Sequence, residues 1–559
     1  MLAPQTSPGE DELPVDRAAS LRIRVLCVVA VFASLMLVTA VRYPVPTVNE
    51  PHFLTKAKHY WDTEFCPGDF FLDSSNTHLV FYQTIGLFTK CLTLDQTAWV
   101  GRGVALWLLA IGWCELFRRL VPGTWSGLWA AWLYSGLTAL ANVSSLSQGG
   151  SWKVFNLSGE WVLGGVEAKV VAYAFVFWAM ALAIDRRPNR AAVCAGAAVS
   201  FHPVVGCWSL VAAGGAGCLR QIIFRSDVPD AERATISARR AGVAAVIFVL
   251  FALPGLLPAL AFLGGSSGKD GFNADYIQVY YRLKHHLNPR TFPISAYASY
   301  VLLALFWWIG RRHARLRSGE ARFSRFVLGS IVVALVGLLI GLPFGPQEQV
   351  WALRIRVWLL KFYPFRLADT MIPIAAVLVA IGFARTWVDN SSSQKTDVRR
   401  RREVCCTFLA ALMLVLAFCL PKPDRVPSRM KPQQLADWRE ACDWIRNHTP
   451  HDALVHTPNR SWAFKWYAQR AEYVSFKDCP QDSAGIVEWN NRLRSIRGWA
   501  EDHYDDGEYS ASDLAQLRST TGITHMLLER LGPIALEPIF RNGTYRVYRL
   551  PDNSGNSVR

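Results

Sequence analysis

Repeated apolar runs of about bilayer length constrain this chain more than any other feature. A crossing helix needs ~20 consecutive apolar residues, and segments 22–41, 97–117, 123–142, 166–184, 240–262, 293–310, 323–343, 367–386 and 403–420 meet or approach that length. A tenth stretch, 191–220, is longer and carries His202-Pro203 and Gly206 at its middle. Arg186, Arg187 and Arg190 precede it and Arg220 and Arg225 follow. Positive charge collects on the cytoplasmic side of short loops, so both ends belong inside. The stretch then reads as two short helices turning at His202-Pro203, for about eleven crossings in all. Residues 78–92 are apolar but too short to span, and fit a helix lying in the interface.

The same charge rule orients the rest. Arg118 and Arg119, Arg239 and Arg240, the group Arg311 to Arg322, and Lys395 with Arg399 to Arg402 all fall in inner loops. Loop 42–96 is instead acidic, with Glu50, Asp62, Glu64, Asp69, Asp73 and Asp95. The expected topology has the N-terminal tail 1–21 in the cytoplasm, a polytopic domain over 22–420 in the plasma (inner) membrane, and residues 421–559 outside. The first run is not a cleaved signal, because it is long and is followed by Arg42-Tyr43-Pro44 rather than a small-residue cleavage site.

Composition agrees. Charged residues make up 18% of the chain and hydrophobic ones 52%, whereas soluble domains carry about 25% charge. Lys and Arg number 59 against 43 Asp and Glu, a net charge of +16. That excess lies in loops between apolar runs, and no zinc-finger or recognition-helix pattern accompanies it, so the partner it implies is the lipid bilayer and not nucleic acid. Most of the 12 cysteines lie in apolar runs and read as core packing. Cys442 and Cys479, both expected outside, are the one pair open to a disulfide.

The C-terminal stretch changes character. Leu435, Trp438, Cys442 and Ile445 recur at helical spacing over 435–448, and Thr449-Pro450 ends that helix. Strands are expected at 453–456, 472–476, 523–529 and 544–550, the last after a turn at Asn542-Gly543, with a short helix at 461–469. The fold class is therefore mainly α: a polytopic helical membrane protein with a small C-terminal α/β domain.

Chemistry concentrates at 45–83. Glu50, just beyond the first helix, could act as a general base or bind a divalent metal; an ordinary acidic loop is the alternative. The run Asn49-Glu50-Pro51-His52-Phe53, the following helix around Ala57 and Tyr60, Gly68-Asp69-Phe70 and the basic pair Arg118-Arg119 together resemble the first outer loop and second helix of the GT-C glycosyltransferases. These are polytopic enzymes that use polyprenyl-phosphate sugar donors. The resemblance implies Glu50 as catalytic base, Asn49, His52 and Asp69 as substrate-binding neighbours, and inversion at the sugar carbon. Asn49 stands where the family's first acid usually lies, and no cofactor beyond a divalent metal is implied. The pattern Trp444-Ile445-Arg446, Thr449-Pro450, Asp452-Ala453 is also similar to bacterial membrane proteins of this architecture.

Further candidates rest on position. Glu167 and Lys169 open a span, where ionisable groups are costly and so suspect, though they could simply pair. His202 lies at the hairpin turn, and His285-His286 in an outer loop without a third ligand at metal spacing. Arg354, Arg356, Lys361 and Arg366 gather in 348–366 on the outer side, against the inner bias. They fit either a lipid phosphate or interfacial anchoring. Three functions follow: a transferase moving a sugar from a polyprenyl-phosphate donor to an outer-face acceptor, a transporter or flippase, and a non-catalytic scaffold of the same fold. The chain shows no internal repeat, and charges deep within the spans are few, which favours the enzyme over transport.

Overall fold

The computed structural model describes residues 17–141, 154–223, 237–264, 268–343, 351–390, 396–420, 425–458, 461–504, 507–529 and 532–552. The chain begins with α1 (Arg17–Arg42), then α2 (Glu50–Trp61), α3 (Leu79–Gln83), α4 (Leu94–Leu120), α5 (Ser126–Ala141), α6 (Ala168–Ile184), α7 (Pro188–Phe201) and α8 (Pro203–Ile223). It continues through α9 (Ala238–Gly264), α10 (Gly268–Tyr276), α11 (Lys284–Leu287), α12 (Ile294–Gly310), α13 (Glu320–Gly341), α14 (Leu353–Leu360), α15 (Arg366–Asp389) and α16 (Thr396–Cys419). Last come α17 (Pro432–His448), α18 (Phe464–Ala468), α19 (Ser483–Asp502) and α20 (Ala511–Thr521).

Among the described residues, six helices are long and apolar enough to cross a membrane: α1, α4, α9, α13, α15 and α16. The other expected crossings fall on α5, α6, α7, α8 and α12, most of them shorter. The stretch 191–220 does break at His202, which is extended before Pro203, and α7 packs on α8. Residues 78–92 form only α3 and a 3₁₀ turn, neither long enough to span. The apolar span of α15 is 83% buried against 11% for that of α9 and 17% for that of α16, so α15 is central and the other two face outward. Their outward faces carry large bare apolar side chains such as Leu250 and Phe408. Patches of that kind mark a lipid contact on a polytopic protein.

The C-terminal module is built on a five-stranded sheet. Its strands are β1 (Leu454–His456), β2 (Ala471–Glu472), β3 (His525–Leu528), β4 (Phe540–Arg541) and β5 (Arg546–Arg549), in the order β2-β1-β3-β5-β4. β1 runs parallel to both β2 and β3, while β5 is antiparallel to β3 and β4. β3 is buried on both faces. α17 lays Trp438, Cys442 and Ile445 on one side of the sheet with Val455, Leu527 and Val547. Trp489 of α19 and Leu514 and Leu517 of α20 cover the other side with Met526 and Tyr548. α20 starts at a Ser510/Asp513 capping box and stops at Gly522, whose φ of +77° suits glycine. Cys442 and Cys479 are free thiols in separate apolar clusters, so the disulfide left open above does not form.

The module is docked onto the loop after α1. Asp69, fully buried, accepts from the Phe71 and Leu72 amides at 3.1 and 2.9 Å and from the Glu472 amide of β2 at 2.9 Å. Lys465 of α18 lies 3.6 Å from Asp69, 2.8 Å from Glu472 and 2.7 Å from Asp478. Removing the Asp69 carboxylate strands the three buried amides of Phe71, Leu72 and Glu472, at a cost of about 1–3 kcal/mol each. Asp69→Ala is therefore expected to loosen the docking and make the link between α16 and α17 readily cleaved in limited proteolysis. Surface Asp62→Ala should leave the digestion pattern unchanged.

Candidate functional site

A cavity of about 1120 Å³ lies between the helical bundle and the C-terminal module. The helix starts of α2, α6, α8 and α15 converge on it, bringing Asn49 and His52, Glu167 and Lys169, His202 and Pro203, and Arg366 to its wall. Helix N-termini present unsatisfied amides and positive dipole ends, so such a convergence favours an anion. The α14–α15 junction adds Lys361, and the loops after β1 and β2 close the cavity with Trp462, Phe476, Lys477 and Asp478.

Four helix starts are tied together by buried polar contacts. Arg366 Nη2 donates to Glu160 at 2.8 Å and Nη1 to His202 Nε2 at 3.2 Å. Its Nε is buried without an acceptor among the described residues. Lys169 bridges Glu160 at 3.1 Å and Glu167 at 3.2 Å. Asn49 donates to Glu167 at 3.0 Å and accepts from Lys477 at 2.8 Å. One turn beyond Arg366, Asp369 accepts from the Leu157 and Ser158 amides, both at 2.7 Å, fixing the loop that carries Glu160. Burial alone would raise the Glu160 carboxyl, but the Arg366 guanidinium and the Lys169 ammonium hold it well below the usual carboxylate range.

Glu50 sits elsewhere. It is fully buried and does not line the cavity. Its two oxygens accept from Arg102 at 2.6 and 2.7 Å, from the Thr47 amide at 2.9 Å and from the Val166 amide at 2.9 Å. Arg102 also donates to the carbonyls of Tyr43 and Pro44 at 2.7 and 2.9 Å. The approach is so close that a Cβ on Gly165 would lie 2.2 Å from the Thr47 methyl and 2.7 Å from a Glu50 oxygen. A carboxylate with four donors has no lone pair left for a substrate hydroxyl. This geometry favours a clamp joining α1, α2, α4 and α6 over the catalytic role expected from sequence.

The remaining candidates divide. His52, Glu167, Lys169, His202, Lys361 and Arg366 share the cavity, as does Asn49. Asp69 lies beneath the docking interface instead. Arg354 and Arg356 do not line the cavity: they stack on Phe272 and Trp351, and Arg356 donates to the Ile340 carbonyl. The chain turns at Tyr363, with φ of +54°, between Lys361 and Arg366. Exposed Trp351, Ile355 and Trp358 around α14 instead suit interfacial anchoring. Lys361 is paired with Asp275 at 2.7 Å. His286 lines the cavity beside His285 and lies 3.9 Å from Glu160. Among the described residues, no group of three or more His, Cys, Asp and Glu is placed to hold a metal ion, so no step is derived through one.

Sequence reasoning missed Arg102, Glu160, Asp369, Lys465 and Asp478. Arg102 and Asp369 did leave a signal, as charges inside apolar runs. Asp478 matters because its Oδ1 lies 3.1 Å from His52 Nδ1 while Oδ2 meets Lys465. Burial would raise Asp478, yet Lys465 and His52 hold it far below the carboxylate range. Burial lowers His52 despite the attraction of Asp478, so its imidazole is neutral near pH 7.

Comparisons with known proteins came out as follows. A family model described as a domain of unknown function, DUF6798, matches residues 436–496, which run from α17 into α19 and include Lys465, Lys477 and Asp478. The chain is 28% identical over 147 residues to the spermidine/putrescine transport system permease protein PotC homolog of Mycoplasma pneumoniae, covering 26% of this chain and 42% of that protein. The chain thus spans under half the length of that relative. Among solved structures, ArnT from Cupriavidus metallidurans aligns over 95% of this chain and 98% of its own. Its apo form gives 11% identity and a TM-score of 0.47. Its form bound to undecaprenyl phosphate gives 12% and 0.49. Scores this low carry no argument about chemistry.

Two outcomes test the site's construction. Glu50→Ala and Arg102→Ala should each destabilise by about 3–5 kcal/mol, because each leaves the other's charge buried, and the double variant should cost less than the sum in thermal or denaturant unfolding. The imidazoles of His52, His78 and His202 are pushed below their ordinary 6.5 by burial, His78 to about 4. Below 6.5 the unfolded chain therefore binds protons first. Stability should be retained above that value and fall as pH drops toward 4, a decline that His78→Asn should shrink when unfolding temperatures are compared.

Proposed function

We propose that this polytopic membrane protein is a transferase that takes a sugar from a polyprenyl-phosphate donor to a hydroxyl acceptor, with its cavity on the outer face. The observation that carries the reading is the meeting of helix starts at Arg366, whose buried Nε lacks an acceptor among the described residues. A phosphate oxygen supplies that acceptor, and the amide ends of α6, α8 and α15 stabilise its charge. Glu160 keeps Arg366 and Lys169 together and aimed into the cavity. We place the module outside and the N-terminus in the cytoplasm because Arg118-Arg119 at the C-terminal end of α4 and Arg311-Arg312 just past α12 fit inner loops under the positive-inside rule.

In this reading His52 replaces Glu50 as the base. Nδ1–H donates to Asp478, a tautomer assigned from the contact, so Nε2 accepts a proton. The acceptor oxygen attacks the anomeric carbon as its proton passes to Nε2. The bond from that carbon to the phosphate oxygen breaks, and polyprenyl phosphate leaves with the electron pair, its charge stabilised by Arg366. Direct displacement inverts the carbon. Glu50 and Arg102 hold His52 in place by fixing the start of α2.

The test is binding and turnover of labelled polyprenyl-phosphate sugars by protein in nanodiscs. Arg366→Ala should weaken binding by about tenfold or more, as expected for loss of a charged hydrogen bond. His52→Ala and Asp478→Asn should bind and lose turnover by roughly 10²-fold or more, the scale of general-base catalysis. Absence of carrier binding by the wild type would refute the reading and leave transport or scaffolding in its place.

A further inference from the structure

The cavity has a second polar wall that the proposed transfer does not use. Between α10 and α11, residues Ile277–Arg282 form a π-helical turn in which the Leu283 amide reaches back five residues to the Gln278 carbonyl at 2.9 Å. Turns of this kind are rare and gather at functional sites. Gln278 and Arg282 both line the cavity from this turn. Each holds a buried polar atom with no partner among the described residues, Oε1 of Gln278 and Nε of Arg282. A buried atom of this sort costs about 1–3 kcal/mol if left unsatisfied, so each is open to a partner from the cavity, ordered water or a ligand group.

The neighbouring side chains indicate what that group is. Arg282 donates to the Lys477 carbonyl at 2.6 Å and lies 5.1 Å from the centre of the Phe476 ring, which ties the turn to the loop after β2. Its side-chain partners among the described residues are the Lys477 carbonyl, the Phe476 ring and the Cys479 thiol, none of them a carboxylate. Phe476 lines the cavity, is 41% exposed, and packs edge-on against the half-exposed ring of Tyr281. A wanted donor, a wanted acceptor, a guanidinium without a carboxylate and a partly exposed aromatic ring suit one class of molecule. Hydroxyls donate and accept, a sugar's C–H face covers an aromatic ring, and an acidic substituent meets the guanidinium.

We propose that the π-turn and the loop 475–479 form a subsite for an acidic saccharide, and that this is the acceptor. The assignment as acceptor rests on the transferase reading; the saccharide site itself does not. Acceptor and donor would then enter one cavity from different walls, the phosphate at Arg366 and the saccharide at Arg282, with His52 and Asp478 on the intervening wall formed by α2 and the β2 loop.

The test uses full-length protein in nanodiscs, with methyl glucoside, glucuronate and glucose 6-phosphate as saccharide probes followed by saturation-transfer NMR. Binding of labelled polyprenyl phosphate is measured on the same samples. Glucuronate and glucose 6-phosphate should bind saturably and better than methyl glucoside. Gln278→Leu and Arg282→Met should each weaken them by about tenfold, the scale of one buried hydrogen bond, while polyprenyl-phosphate binding stays within about twofold. Arg282→Lys, which keeps charge and loses the Nε edge, should fall between. No saturable saccharide binding, or variants that bind like the wild type, would overturn the subsite and leave those two atoms to ordered water. Loss of polyprenyl-phosphate binding in the variants would overturn it too, since the wall would then belong to the donor. Saccharide binding without any polyprenyl-phosphate binding would uphold the subsite and sink the transferase reading instead.

Discussion

One buried ammonium holds the two halves of this protein in register. Lys465, 4% exposed, sits among Asp69 of the first loop and Glu472 and Asp478 of the C-terminal module. Burial would drive its proton off, yet Asp478, Asp69 and Glu472 keep it charged well above the ordinary lysine range. A charge so placed cannot shift without stranding its partners. The geometry of the docking passes directly to the cavity, because the carboxylate that meets Lys465 through one oxygen meets His52 through the other.

A second constraint acts on the bundle side. Four helices begin at the cavity, and like-oriented dipole ends repel unless counter-charges intervene. Glu160 and Glu167 supply them, bridged by Lys169 and capped by Arg366 and Asn49. The Glu50–Arg102 pair performs the equivalent task one layer deeper, inside the bundle, where it closes onto Gly165. Polar groups in a membrane protein are retained where they serve a site or a joint, and here the two uses lie within neighbouring turns. That proximity puts the motif centred on Glu50 beside the cavity, while the Glu50 carboxylate itself is turned into the clamp with Arg102.

How far the sequence reveals the structure depends on the range of the interaction concerned. The apolar runs are legible because lipid demands them locally, and the break at His202-Pro203 is legible because proline restricts the residue before it. β1, β3 and β5 show in their short apolar runs. β2 proves to be two residues and not 472–476, since the chain leaves the sheet at Tyr473 to build the loop over the cavity. β4, a two-residue edge strand, and the amphipathic α19 and α20 escape notice. Lys361 and Arg366 line the cavity from the α14–α15 junction, whereas Arg354 and Arg356 lie back along α14 against Phe272 and Trp351, a difference of helix face and neighbours that nearness in sequence does not reveal. Arg102 finds Glu50 across 52 residues and Asp69 meets Glu472 across 403, separations at which periodicity holds no information.

Both modules line one cavity, and the proposed function puts a lipid phosphate on its bundle wall. An experimental structure in nanodiscs with added polyprenyl phosphate tests this most directly. Phosphate density is expected against Arg366 Nε at the start of α15, with the C-terminal module docked through Lys465 and the prenyl chain running into the bilayer. Density at α14 beside Arg354 and Arg356 instead, or a C-terminal module swung away from α2, would contradict it.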